Sequence, residues 1–322
     1  MKNSRTFLRI IIAVIVLGLF FGMYYYAVYD RTPKEVTRIS IVVYGNDSER
    51  WENLRRGAEQ AADLLSAEVT LVTMSDTAGA EEQKKLLQRE IDNGADALMI
   101  AACDSAEMKQ YIETLPDEIP VLLVESGIGY TEDKLCISAD NYTMGQVLGE
   151  AVAENERPEV KVAIICDHEQ RDSVAERYQG VYDSLVEDVD RITIWKRKEN
   201  EADIRSMLFL QRELTEEAVD VVVALDTSST EAIIDAVENL DKEVQIYGIA
   251  NSDKAVYYLD NGILDALGYQ NEFSIGYLGV QELMGEVHFE HEEYRQMIAY
   301  RVVTKKTLYE TDNQKMLFPF VK

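Results

Sequence analysis

The feature that most limits what this chain can fold into is a repeating grammar after residue 38. A short β-branched run, a polar loop and an amphipathic helical stretch follow one another roughly ten times. Arg38–Tyr44, Val69–Met74, Ala97–Ala102, Val121–Val124, Val160–Cys166, Ile192–Trp195, Val219–Leu225 and Val244–Ile249 read as strands. Strands that alternate with helices imply βαβ units and a parallel sheet with helices on both faces. Ligands of such sheets sit outside the carboxyl ends of the strands, so the loops that follow the strands are where function is sought.

Helical patterning fills the gaps. Ser48–Ser66, Glu81–Gly94, Tyr142–Asn155, Asp172–Asp188, Asp203–Ala218, Ser228–Asn239 and Ser252–Gly262 carry apolar residues at three- and four-residue spacing. Gly94 and Gly262 stand where helix C-caps are expected. Asn141 and Ser228 suit helix N-caps. No Pro/Ser-rich linker follows residue 38, yet roughly 290 residues remain after the N-terminal run, enough for two lobes of ordinary size. Two lobes without a single linker imply that the chain passes between them several times.

The N-terminus has its own signature. Lys2, Arg5 and Arg9 precede Ile10–Val28, a 19-residue apolar run broken only by Gly and by three Tyr at its outer end. About 20 apolar residues span the hydrocarbon core as a helix. Cations on the N-terminal flank keep that side cytoplasmic, and Tyr24, Tyr25, Tyr26 and Tyr29 suit an interfacial aromatic belt. The expectation is a basic cytoplasmic tip over 1–9, a single-pass anchor in the cell membrane over 10–29, and an extracytoplasmic remainder. A cleaved signal peptide is the competing reading. Against it, Tyr25 stands where a small residue would have to precede Ala27, and no Cys near the end of the run offers a lipoprotein anchor.

Charge narrows the partners. All 59 acidic residues lie at or beyond Asp30 and three of the 32 basic ones lie before it, so the exported part carries 29 cations against 59 carboxylates. That balance argues against nucleic acid and against docking on anionic lipid. Cys103, Cys136 and Cys166 make an odd count, too few for a disulfide framework. Each falls in or just after an apolar strand, which reads as core packing.

Several segments taken in order carry a family resemblance. They include ISIVVYGNDSERWENLRRGAEQAA, EQKKLLQREIDNGADALMIAACDS, IPVLLVES, ISADNYTMGQVLGEAV, AERYQGVYDSL, VVVALDTSSTEAIIDAV and IYGIANSDKAVYYLDNGILDALGYQNEFSIGYLGV. From Ile39 to about Lys305 the chain resembles type I periplasmic binding proteins of the ribose- and galactose-binding kind, whose core is shared with LacI-type repressors. The membrane-anchor pattern stands where a repressor would carry its helix-turn-helix. The resemblance implies an α/β fold of two doubly wound parallel-sheet lobes joined by three crossovers that close over a ligand. The crossovers are expected near Ser138–Asn141, Gly268–Asn271 and Glu290–Met297. Lobe 1 is then 38–139 plus 271–293, and lobe 2 is 140–270 plus 294–322.

The same resemblance points to the ligand-binding residues. After the first strand come Asp47, Ser48, Glu49, Arg50 and Trp51. Trp51 falls at the family's aromatic position, where a ring stacks on a sugar face or covers a cation; the alternative is packing at the lobe interface. Ser48 and Arg50 are candidate polar contacts. Glu125 and Ser126 follow the fourth strand, where sugar binders commonly place a carboxylate and then an Arg that clamp vicinal hydroxyls. The family's second Arg aligns with Ala175, with Arg171 and Arg177 nearby. Asp226, Asn251 and Gln270 complete the candidate set, while Asp140 and Asn141 read as hinge and cap. On this alignment the site keeps carboxylates and loses cations. Strand-end polar residues also serve as helix caps.

Catalytic signatures are missing: no G-x-S-x-G, no G-x-x-x-x-G-K-[ST] and no H-E-x-x-H occurs. His288 and His291 lie three apart among glutamates. That spacing suits a metal on a helix but reads as an acidic surface without a third ligand pattern. The expected protein is a membrane-anchored extracytoplasmic solute-binding protein without enzymatic chemistry, cofactor or metal. It would close on a small polar, sugar-like ligand and deliver it to an ABC-transporter permease. The alternatives are a sensing accessory of a membrane histidine kinase and a degenerate, non-binding interaction module.

Overall fold

The computed structural model describes residues 14–24, 36–45, 51–75, 78–129, 134–155, 160–197, 205–240, 242–287, 289 and 295–317. The chain divides into two units, Met1–Val36 and Thr37–Lys322. In the first, residues 14–24 form a helix, α1, whose apolar side chains, among them Leu17, Phe20 and Phe21, are exposed. Among the described residues no helix is long and apolar enough to cross a membrane. The expected span from Ile10 to Val28 therefore has no support there, because both its ends lie outside the described residues.

The second unit holds two six-stranded sheets wound alike. The first contains β1 (Thr37–Val43), β2 (Ala67–Thr73), β3 (Ala97–Ile100), β4 (Val121–Val124), β5 (Cys136–Ala139) and β11 (Arg295–Ile298), in the order β11-β5-β4-β3-β1-β2. The second contains β6 (Lys161–Ile165), β7 (Arg191–Trp195), β8 (Val221–Ala224), β9 (Gln245–Ile249), β10 (Ala266–Gln270) and β12 (Tyr300–Thr304), in the order β12-β10-β9-β8-β6-β7. Around the first sheet lie α2 (Glu52–Leu65), α3 (Ala80–Asp92), α4 (Ser105–Ile112) and α10 (Glu272–Leu283). The second lobe carries α5 (Asn141–Asn155), α6 (Asp172–Leu185), α7 (Ser206–Glu216), α8 (Thr227–Leu240), α9 (Asp253–Asn261) and α11 (Thr311–Leu317). Central strands are buried along their length, as ALMI in β3 and VVVA in β8 show, whereas the edge strands β2 and β7 are half exposed. Sheets covered on both faces demand this composition.

The chain changes lobe at Asp140, at Asn271 and at Ala299. β5 and β10 both run toward the hinge, so the carboxyl ends of the two sheets face each other. β11 pairs parallel to β5, with Ile298 opposite Ala139. A single intervening residue then carries the chain straight on, so β12 enters the second sheet antiparallel to β10. This corrects the expected third crossover at Glu290–Met297, since residues 295–298 complete the first sheet and the second lobe's last segment begins at Tyr300. The arginine and glutamine in RQMI conceal a strand whose backbone is what matters.

Helix ends show a second correction. Asp140, rather than Asn141, caps α5 by accepting the Thr143 N–H at 3.0 Å. Asp226, rather than Ser228, caps α8 by accepting the Ser229 N–H at 2.8 Å. A carboxylate takes the cap because its charge also favours the positive end of the helix. Asp104 caps α4 in the same way, and Gly262 ends α9 with φ +77°.

Each lobe is pinned to the helix that enters it from the hinge. In lobe 1, α2 packs on α10: a Cβ on Gly57 would overlap the Phe273 carbonyl, and one on Gly276 the Leu54 carbonyl. In lobe 2, α5 packs on α6 through Gly145 and Gly180, which abut the backbones at Arg177 and Tyr142. Overpacking a site of this kind costs about 1–3 kcal/mol. Gly276→Ala should therefore lower stability by that amount in urea unfolding. Gly79→Ala, where a Cβ meets nothing within 4 Å, should leave it nearly unchanged.

Candidate functional site

The facing strand ends bring buried polar side chains together from both lobes. Tyr44 follows β1, and its hydroxyl donates to the Glu125 carboxylate. Trp51 sits behind it, 0% exposed, donating its indole N–H to the Tyr44 carbonyl at 2.9 Å and meeting the Tyr44 ring edge-on at 5.3 Å. The ring expected to stack on a ligand thus braces Tyr44 from the core.

Glu125 follows β4 in a strained turn. Its φ is +61°, and the Ser126 N–H reaches back to the Val124 carbonyl at 2.6 Å. A non-glycine residue at the centre of such a turn costs roughly 1–3 kcal/mol and persists only where its surroundings over-determine it. The surroundings here are Arg177 Nη2 at 3.0 Å and the Ser173 hydroxyl at 3.4 Å, both from α6 of the other lobe, together with Tyr44. Arg177 also donates Nε to Asn141 at 2.9 Å and Nη1 to the Leu225 carbonyl at 3.1 Å. One guanidinium therefore ties the first lobe to the hinge helix and to the end of β8.

Asp226, at the end of β8, lies 2.6 Å from His168 Nδ1 and accepts from the Ser228 hydroxyl at 2.9 Å and the Ser229 N–H. Burial alone would raise its pKa. The charge and hydrogen bond of His168, the charge of Arg171 and the Ser229 N–H together outweigh that and hold it well below the usual carboxylate range. Arg171 stacks on the Tyr44 ring, its Cζ 3.7 Å from the centroid.

The remaining candidates frame this cluster. Ser126 lies buried beside Glu125 and accepts the Ser173 N–H across the lobes at 3.4 Å. Gln270 reaches back over the hinge and accepts the Ala139 N–H at 3.3 Å. Asn251 accepts the Gln270 N–H at 3.3 Å, which places it one step behind the hinge. Ser48 and Arg50 lie outside the described residues, as do His288 and His291. Among the described residues no group of three metal-ligating side chains occurs. Cys103, Cys136 and Cys166 are free and buried, and burial pushes their thiols up to about 11, 12 and 12. They stay protonated and serve as packing.

Two cations expected to be lost are therefore present. Alignment put the second-lobe arginine at Ala175, which is exposed on α6. Two positions along a helix turn the side chain by about 200°, so Arg177 faces the cleft instead. Tyr44, His168 and Ser173 carry no alignment signal in the sequence, and Arg171 stands out there only as a neighbour of Ala175. The like winding of the lobes is the signal for His168, because its loop follows β6 as the Tyr44 loop follows β1.

Asp226→Asn tests the electrostatics. The folded pKa lies below the unfolded value of about 3.9, so the stabilisation is complete above that pH and fades as pH falls through the folded value. In urea unfolding the substitution should cost roughly 1.5–3 kcal/mol at pH 7, as expected for hydrogen bonds to a charged group. The difference should narrow below pH ~4.

Comparison with known proteins agrees with this fold. A family model described as periplasmic binding protein domain matches residues 39–288. No curated protein matches the sequence. Among solved structures, GanP, a glucose-galactose binding protein from Geobacillus stearothermophilus, is 20% identical with TM-score 0.74, covering 86% of this chain and 100% of that one. An ABC transporter solute-binding protein from Agrobacterium vitis, bound with alpha-D-tagatopyranose, is 18% identical with TM-score 0.76, over 87% and 98%. A carbohydrate transporter solute-binding protein from Agrobacterium radiobacter, in complex with D-arabinose, is 17% identical with TM-score 0.73, over 88% and 99%. At these identities the likeness is one of fold.

Proposed function

The chain belongs to the periplasmic binding protein domain family, and from that premise we propose that it is an extracytoplasmic solute-binding protein that closes two lobes on a small sugar-like molecule for ABC-type import. The observation that carries this reading is the Glu125–Arg177–Asn141 cluster, in which polar side chains from both lobes and from the hinge helix converge at the facing strand ends. The sugars named for GanP and the two Agrobacterium structures support the ligand class.

Closure works as a population shift. A ligand that touches both lobes stabilises the closed form by its differential affinity and does nothing by contacts to one lobe alone. Three single-residue connections give a hinge about which the lobes close. Glu125, Ser126 and Tyr44 act from one side, and Asp226, Arg171 and Arg177 from the other. Gln270 sets the hinge, and no bond is made or broken. The closed face is what a membrane permease would read.

Thermal unfolding against a panel of aldoses, polyols and nucleosides tests the reading. A ligand at 100 times its dissociation constant adds about 2.7 kcal/mol. A midpoint rise with one sugar class is the expected result, and an unmoved midpoint with every compound counts against a solute receptor.

The membrane anchor is part of the proposal. The apolar run Ile10–Val28 follows three cations, and the helix at residues 14–24 exposes its apolar side chains. Full-length protein should stay with the membrane pellet after alkaline carbonate extraction, and protease added to spheroplasts should digest the portion beyond residue 36. Release into the supernatant would mean that the run is not an anchor.

A further inference from the structure

The two arginines of the cleft are satisfied very differently. Arg177 donates Nε, Nη1 and Nη2 to three oxygens. Arg171, only 7% exposed, has a buried Nε with no hydrogen-bond partner among the described residues. Its Nη1 stops 3.6 Å from Asp226, too far for a hydrogen bond. The Tyr44 ring covers a face of the guanidinium and leaves the in-plane N–H edge as the available contact. A buried guanidinium left in this state is costly, because each unmade hydrogen bond forfeits the desolvation of its donor.

The acceptors nearby are already committed. Glu125 takes Arg177, Tyr44 and Ser173, and Asp226 takes His168, Ser228 and Ser229. Among the described residues, the carboxylates that approach Arg171 are therefore occupied, and its guanidinium edge still wants an acceptor. A neutral hydroxyl can accept one N–H. A carboxylate offers two coplanar oxygens with charge, the match for a guanidinium edge, in bonds roughly twice as strong.

We propose that the ligand is a sugar acid, with its carboxylate on the free edge of Arg171 and its hydroxyls toward the Glu125 and Asp226 clusters. The inference rests on the solute-binding reading above and narrows its ligand class. The surplus of acidic residues outside the cleft does not oppose it, since local charge governs a desolvated site while distant charges are screened.

Isothermal titration of the full-length protein in detergent tests this with matched pairs, D-galacturonate against D-galactose and D-gluconate against D-glucitol. The acid of at least one pair should bind ten or more times more tightly than its neutral partner. Arg171→Gln should abolish that preference, and Arg171→Lys, which keeps the charge without the planar fork, should restore only part of it. Circular dichroism and the ligand-free unfolding midpoint of each variant establish that it is folded. Tighter binding of the neutral sugars, or an acid preference that survives Arg171→Gln, overturns the proposal while leaving a sugar receptor in place. Silence from neutral and acidic sugars alike removes the receptor reading and this proposal together.

Discussion

The contact between Glu125 and Arg177 organises much of what surrounds it. It joins the end of one sheet to the first helix of the other lobe, with both partners almost wholly buried. Removing two charges from water is expensive, and such a pair contributes little net stability against a well-packed apolar substitute. Breaking it by removing one partner is far more damaging, since the other charge is left buried. Its value here is geometric. The left-handed backbone at Glu125 aims a carboxylate out of a strand end where a relaxed residue would turn away, and Arg177, Ser173 and Tyr44 hold it there. Arg295, on β11, repeats the interlobe theme with a paired contact to Glu176 of α6 at 2.9 and 2.7 Å.

The hinge makes that geometry adjustable. Three chain passages cross at single residues; one buried cluster runs from the first lobe into the part of the second sheet that includes Val162, Ile164, Val221 and Val223, and a second fills the rest of the second lobe around Ile165, Val222 and Ile233. Helices pack closely through Gly57, Gly276, Gly145 and Gly180, so in the proposed closure bending falls to Asp140, Asn271 and Ala299. Rigid lobes on a soft hinge let a few kilocalories of ligand contact become a change in surface shape.

Legibility in the sequence followed the physics of each signal. The central strands and the amphipathic helices could be read directly, because burial on two faces or on one leaves a periodic trace. Strands β5, β10, β11 and β12 were harder: CISA, ALGYQ, RQMI and YRVVT are short and mix polar or small residues into positions held by backbone pairing. Helix α10 was obscured by Gly276 and Gly279, which lower helix propensity yet are needed against Leu54 and Met99. Glu125, Ser126, Asp226 and Gln270 were legible as buried polar residues because they follow or end strands. Trp51 was noticed for its type, although its ring supports Tyr44 instead of facing the cleft.

By itself, the sequence determined the class of fold, the order of charged and apolar residues at its N-terminus and the strand ends at which polar residues gather. These depend on local periodicity and on charge order along the chain, which need no tertiary information. Only the tertiary structure decided which polar residues meet. Arg177 reaches Glu125 across 52 positions, and Arg171 lies on Tyr44. Such partners are chosen by helix phase, by the crossing at Ala299 and by the approach of two sheets. A shift of two residues along α6 exchanges a buried arginine for an exposed alanine, and no periodicity in the chain reports that phase.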